Sequence, residues 1–392
     1  MLRSRRIAID ATSHANGRGY GRFLREFLPE LLNAASHHRF VLLADHRQRD
    51  DLARYADRAE VQFANLAASP VEAASADGAR TPKDLWRMRR LLKRARADMV
   101  FFPTVYTWFP PPRSVRSLVC IHDAIPERFP RYCFANGQAR RLWSLKVKWA
   151  IARAQLILTV SNKAAADLAR VLGIPKDRLR VTSEAASRVF KPASAEEVAS
   201  VLERVGIPTS SPYLLYVGGL NPHKRLDLLL EALAALTKTV SPPRRLIVVG
   251  GEGDVFHEES KRLKTLAHEL GLDEQVSWLG RIDDDDLRAV YTGAEALVLP
   301  SMCEGFGLPA VEAAACGTPV VATEESPLPE ILEGGGFFVP PGEKEPLTAA
   351  LVRITEDASL GESLGKEALR RASRLSWTRT AADVLQAMEE VL

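Results

Sequence analysis

Residues 304–323 read Glu304-Gly-Phe-Gly-Leu-Pro-Ala-Val-Glu312-Ala-Ala-Ala-Cys316-Gly-Thr-Pro-Val-Val-Ala-Thr323. The apolar run Ala296 to Pro300 before them reads as a buried strand, and a glycine-rich turn leads into Pro309 to Cys316, which reads as a helix. Pro309 falls near the first helical position, where its missing N–H costs nothing. Gly305 and Gly307 let the backbone approach a ligand, and the free N–H groups and positive end of the following helix then face it. Such a place suits an anion, for example a diphosphate. Glu304 on the loop and Glu312 about one turn into the helix flank it, and carboxylates accept hydrogen bonds from the hydroxyls of sugars and ribose. Taken alone, glycines at a helix start also occur in any parallel sheet, and two glutamates also fit a solvated surface.

Working outward, 392 residues suit two domains rather than one core. Hydrophobic residues make up 46% and charged residues 26%, a soluble globular balance, and no segment is apolar for the ~18–20 residues that span a bilayer. The start, MLRSRRIAIDAT, reads as a first strand, because its short apolar run contains Asp10. Cys120, Cys133, Cys303 and Cys316 form no CxxC pair, and reduced thiols of a cytoplasmic protein are expected.

The net charge of +4 hides a division: residues 1–190 hold 34 Lys and Arg against 17 Asp and Glu, the remainder 19 against 32. Much of the basic excess lies on two expected helices, Lys83 to Arg96 with seven cations and Arg140 to Arg153 with five, each interleaved with Trp and aliphatic residues. Two readings stand for these. An apolar face packs on the sheet while the cations stay in water, or the helices rest on an anionic membrane surface from the inner side of the plasma membrane. No nucleic-acid recognition motif accompanies the charge, and none is expected as a partner.

Strand-like runs alternate with helices. Arg5 to Asp10, Phe40 to Ala44, Val61 to Phe63, Met99 to Phe102, Ser117 to Ile121, Leu156 to Val160 and Arg180 to Ser183 come first. Tyr213 to Val217, Leu246 to Val249, Gln275 to Leu279, Ala296 to Pro300 and Val320 to Ala322 follow. This pattern predicts parallel sheets covered on both faces. We expect domains at 1–190 and 213–376, a proline-containing linker at 191–212, and a last helix, 377–392, returning to the first domain. Residues 66–80 and Pro103 to Pro112 read as loops, with Tyr106, Trp108 and Phe109 available to a sugar or a membrane. Asp283 to Asp286 precedes a helical run and reads as a cap, not a metal site.

The segment from Glu304 resembles the E-x7-E signature of the retaining nucleotide-sugar glycosyltransferases of the GT-B fold, glycosyltransferase family 4. Gly19, Gly21, Arg22 and Phe23 resemble the family's GxGRY loop, and His122-Asp123 with Pro126 resembles its HDxxP segment. The resemblance implies an α/β GT-B chain, two Rossmann-like domains whose parallel sheets face an interdomain cleft. It implies His122 and Glu304 as catalytic. Donor-binding residues would be Gly19, Gly219, Lys224, Arg225, Ile282, Glu304, Gly305, Phe306, Gly307, Leu308 and Glu312, with Glu312 on the ribose and Ile282 at the nucleobase. Gly21, Arg22 and Asp123 would lie on the acceptor side. The family commonly has an arginine where this chain has Gly219, leaving one cation fewer on the donor phosphates unless His223, Arg225 or Arg22 compensates.

The implied reaction is metal-independent hexosyl transfer in surface polysaccharide synthesis, with no cofactor and a nucleotide sugar as substrate, GDP-mannose first and a UDP-hexose second. The acceptor would be a glycan or lipid-linked glycan. Two other classes stay open: a nucleotide-sugar-binding protein without turnover, and another GT-B enzyme such as a sugar-nucleotide epimerase.

Overall fold

The computed structural model describes residues 4–17, 19–67, 69, 80–209, 211–251 and 257–392. The chain divides into two compact units, Met1–Glu184 with Ser376–Leu392, and Ala185–Leu375.

In the first unit seven strands form one parallel sheet: β1 (Arg6–Asp10), β2 (Arg39–Asp45), β3 (Ala59–Ala64), β4 (Met99–Phe102), β5 (Arg116–Cys120), β6 (Leu156–Thr159) and β7 (Leu179–Val181). Their spatial order is β3-β2-β1-β4-β5-β6-β7. Six parallel strands build the second: β8 (Tyr213–Val217), β9 (Arg245–Val249), β10 (Val276–Gly280), β11 (Ala296–Leu299), β12 (Val320–Thr323) and β13 (Gly336–Val339), in the order β10-β9-β8-β11-β12-β13. Both orders run outward from the first strand and then restart on its other side. That leaves a switch point beside β1 and β4 in one sheet and beside β8 and β11 in the other, where ligands meet the carboxyl ends of strands in open α/β folds.

The central strands are buried on both faces, as Ile7, Ala8 and Ile9 and the Leu214–Tyr216 run illustrate, all 0% exposed. Such continuous apolar runs are what a sheet covered by helices on each side requires. On one face of the first sheet, the Pro82–Ala95 helix contributes Met88, Leu91, Leu92 and Ala95 and the Gly137–Arg153 helix contributes Trp143, Val147 and Ala150. Trp108 and Phe109 join that core at 3% and 0% exposure, so they are not free for a sugar or a membrane. They are drawn inward because the short Val105–Thr107 turn folds the loop back over Phe102. On the other face the Gly19–Ala34 helix packs against the Trp377–Val391 helix through Phe23 and Trp377. The last helix is further tied by Thr380 Oγ1 donating to the Ser183 carbonyl (2.6 Å) and by Arg180 on Glu390 (2.6 Å).

Residues 191–212 are not a linker. They hold the Ala195–Arg204 helix, closed at its start by a capping box of Ser194 and Glu197 and pinned to the Asp284–Thr292 helix by Glu197 with Arg288 (2.7 Å) and by Arg204 with Asp286. The prolines that suggested a linker flank this helix instead of interrupting it. The chain passes between units at Glu184–Ala185 and Leu375–Ser376. None of the four cysteines takes part in a disulfide. Most of the 66–80 loop and Glu252-Gly253 lie outside the described residues.

Candidate active site

At the switch point of the second sheet, the loop after β8 and the loop after β11 meet. The β8 loop carries Pro222–Lys224 as a 3-10 turn, and the β11 loop begins at Pro300. Met302 N–H donates to the His223 carbonyl (2.8 Å), which zips the two loops together. Lys224 Nζ then reaches both oxygens of Glu304, at 2.7 and 2.9 Å, and Ser301 Oγ donates to Oε1 at 2.6 Å.

The pair is well covered, with side-chain exposure of 23% for Lys224 and 8% for Glu304. Burial alone would push the Glu304 carboxyl up, but the Lys224 ammonium and the Ser301 hydroxyl outweigh it and hold the pKa below the usual glutamate range. Glu304 is therefore an anion with hydrogen-bond-accepting capacity beyond its two partners. Lys224 has three ammonium protons and two contacts, which leaves positive character at a strand edge. His223 stands beside them, 7% exposed, its pKa lowered to about 4 by burial and then by Lys224, so it is neutral. It adds no cation.

The other sequence-expected donor residues divide. Gly305, Phe306, Gly307 and Leu308 form the buried turn into the Leu308–Ala315 helix. Gly307 has φ +89, and a Cβ there would lie 2.9 Å from Leu328, so the turn requires glycine. Glu312 is 3% exposed and accepts from the Tyr291 hydroxyl at 3.1 Å, on the side of its helix that faces the Asp284–Thr292 helix. Arg225, left-handed at φ +53, turns to Asp227 (3.0 Å) and Met302 Sδ (3.6 Å), not to the Lys224–Glu304 pair. Gly219 is exposed, and its carbonyl accepts from the Tyr216 hydroxyl at 2.6 Å. Ile282 is half-buried just past β10, and Asp283 caps the next helix by accepting from Asp286 N–H at 2.8 Å.

In the first unit, His122 follows β5 and Asp123 turns its carboxylate onto Ile125 N–H (2.8 Å). The His122 ring has Nε2 2.9 Å from the Pro103 carbonyl, Nδ1 3.4 Å from Glu184, and the Phe23 ring against it edge-on at 5.1 Å. Burial opposes charge on this ring, but Cys120 and Glu184 outweigh it and lift its pKa well above the usual histidine range. Gly21 is packed where a Cβ would fall 1.9 Å from the Asn16 carbonyl, so the Gly19–Ala34 helix can start against that loop only with glycine there. Gly19 is open at its Cα, and Arg22 is half-buried on the same helix.

Sequence reasoning missed Ser301, Tyr291 and Glu184. Ser301 had a signal, its place two residues past a buried strand at the ligand edge. Tyr291 and Glu184 had none, since each reaches its partner only through tertiary packing.

The sequence matches the pattern described as Glycosyltransferase Family 4 over residues 17–184 and that described as Glycosyl transferases group 1 over residues 200–371. The chain is 30% identical to the O-antigen chain mannosyltransferase B of Escherichia coli over 278 residues, 71% of each protein. It is 33% identical to the D-inositol 3-phosphate glycosyltransferase of Saccharomonospora viridis over 248 residues, 62% of this chain and 57% of that one. Among solved structures it resembles sucrose-phosphate synthase from Thermosynechococcus elongatus, with TM-score 0.78, 23% identity and 98% of each chain covered. It also resembles the Anabaena protein HepE in complex with UDP-glucose, with TM-score 0.74, 19% identity, and 98% of this chain and 99% of that one covered.

Proposed function

We infer the reaction from one premise: this chain belongs to glycosyltransferase family 4, nucleotide-sugar transferases of the GT-B fold. The reading is transfer of a hexose from a nucleotide diphosphate sugar to a hydroxyl of a glycan or lipid-linked glycan, with retention at the anomeric carbon. The observation that carries it is the Lys224–Glu304–Ser301 cluster at the switch point of the second sheet.

In that reading the buried Glu304 carboxylate accepts hydrogen bonds from the hexose hydroxyls, and the ammonium of Lys224 and the turn at Gly305–Leu308 face the diphosphate. As the bond from the anomeric carbon to the phosphate oxygen breaks, negative charge grows on the leaving diphosphate. A lysine and helix-end amides already in place stabilise it without reorganising. The acceptor oxygen forms the new bond on the same face, and its proton passes to the departing phosphate. His122 contacts the transferred sugar, and Glu312 receives the ribose next to Tyr291. No metal takes part in this scheme.

Mannose from GDP-mannose is the first donor assignment, supported by the relationship to the O-antigen mannosyltransferase, and a UDP-hexose is the second. The test is release of nucleoside diphosphate from a panel of nucleotide sugars in excess EDTA. Turnover with one donor that is lost in Glu304→Ala supports the reading, and no release from any donor, or activity restored only by Mg²⁺, refutes it.

A membrane surface is proposed as a second partner. Among the described residues no helix is long and apolar enough to cross a bilayer, but Trp86, Leu142, Leu145 and Trp149 are 53–64% exposed on the two basic helices. Exposed Trp and Leu beside arginines suit the interface of an anionic leaflet.

A further inference from the structure

We propose that Glu184 is a positioning residue that holds His122 as an imidazolium, so that the group meeting the transferred sugar is a fixed cation and not a titrating base. This rests on the sugar-contacting role proposed for His122.

The geometry fits two ring protons. Nε2 lies 2.9 Å from the Pro103 carbonyl, which offers only lone pairs, so Nε2 carries a hydrogen. Nδ1 lies 3.4 Å from Glu184 Oε1, and a bare lone pair there would face another lone pair. A proton on Nδ1 turns this facing of lone pairs into an attraction, and imidazole is the stronger base of the two by about two pKa units in ordinary reference groups. The proton is therefore placed on the ring.

Glu184 is 4% exposed, so its carboxylate is costly to bury without a cation. His122 is the cation it faces. Of the remaining groups around the ring, Cys120 from β5 hydrogen-bonds it and favours the charged form together with Glu184, Asp123 is turned to Ile125 N–H, and Phe23 presents a ring edge.

A permanently charged His122, being doubly protonated, does not accept the acceptor's proton. Charge fixed before the reaction is worth more than charge acquired during it.

The experiment is long-range ¹⁵N NMR of the His122 ring in the free wild-type protein and in the isosteric variant Glu184→Gln, with steady-state kinetics from pH 6 to 8.5. In the wild type both ring nitrogens fall in the protonated range at pH 7.5. In Glu184→Gln, where Cys120 alone still favours charge, the ring loses its second proton at lower pH than in the wild type, kcat above that pH drops by about tenfold or more with little change in donor KM, and activity recovers as pH falls and the ring reprotonates. Glu184→Asp retains the protonated ring. A neutral wild-type ring at pH 7.5, or a Glu184→Gln enzyme with the wild-type pH profile, overturns the proposal. A protonated ring combined with undiminished turnover in His122→Asn overturns it at the underlying assignment instead, which keeps the two failures distinguishable.

Discussion

Replacing Lys224 with methionine keeps the aliphatic stem and removes the charge that the buried Glu304 faces. Glu304 would keep only the Ser301 hydroxyl as a side-chain donor. Removing one partner of a buried pair costs about 3–5 kcal/mol, because the other charge stays behind. We take the lower end, about 3 kcal/mol, since Lys224 is 23% exposed and the site is not fully dry. For a unit of this size, that lowers its unfolding transition by about 6–12 °C.

The converse change, Glu304→Gln, is milder: it strands the more exposed partner, and a lysine can swing its head to water. The pH dependence has a definite sign. In the wild type the Glu304 pKa is depressed, so the stability it contributes is present above its unfolded pKa and is lost as pH falls through the folded value. In Lys224→Met the carboxyl pKa rises instead, because burial is no longer opposed by the ammonium. The carboxyl then protonates on moving from pH 7.5 to 5, and the gap between variant and wild type narrows. Thermal unfolding at both pH values, on both single variants and the double variant, measures this. A Lys224→Met protein as stable as wild type at pH 7.5, or a gap that widens toward pH 5, would show that the two side chains are not coupled as the geometry requires.

Glu312→Gln keeps the Tyr291 contact and should weaken nucleotide binding more than it lowers kcat, the reverse of Glu304→Ala; equal effects in titration calorimetry and steady-state kinetics would contradict the assignment of ribose and hexose. Lys146, donating to the Tyr106 carbonyl at 3.1 Å, has its pKa lowered to about 7 by burial and then by Arg80. Its folded value lies below the unfolded one, so stability rises with pH from about 7 toward 10, by up to about 1.4 kcal/mol per pH unit. Lys146→Met should raise the unfolding temperature at pH 7 and flatten that rise, as pH-resolved calorimetry would reveal. Trp86→Ser with Trp149→Ser should cut binding to anionic vesicles, and added salt should weaken what remains; flotation showing no association of the wild type would remove the membrane partner.

Much of the architecture was legible because parallel, doubly covered strands are written as short uninterrupted apolar runs, and those runs named twelve of the thirteen strands among the described residues. The missed one, β13, Gly-Phe-Phe-Val, follows Gly334-Gly335, and its short run between glycines reads as a turn. The last helix carries a helical period over Trp377, Ala381, Val384 and Met388, which tells that one face is buried but not against what. The supposed linker failed for a local reason: proline marks where a helix cannot continue, and it does so equally well at a domain boundary and at either end of an ordinary helix.

Sequence alone determined that two α/β halves exist, that glycines and a helix start follow β11, and that carboxylates and a lysine stand at strand ends. Those are facts of chain order and local propensity, and physics within a few residues decides them. Only the tertiary structure decided pairing. Lys224 and Glu304 are eighty positions apart and His122 and Glu184 sixty-two, and whether such groups meet depends on strand order, β8 beside β11 in one sheet and β5, β6 and β7 side by side in the other. Protonation follows the same rule. A side chain's charge is set by burial and by which charged group lies within about 4–6 Å, and no short-range pattern in the chain encodes either.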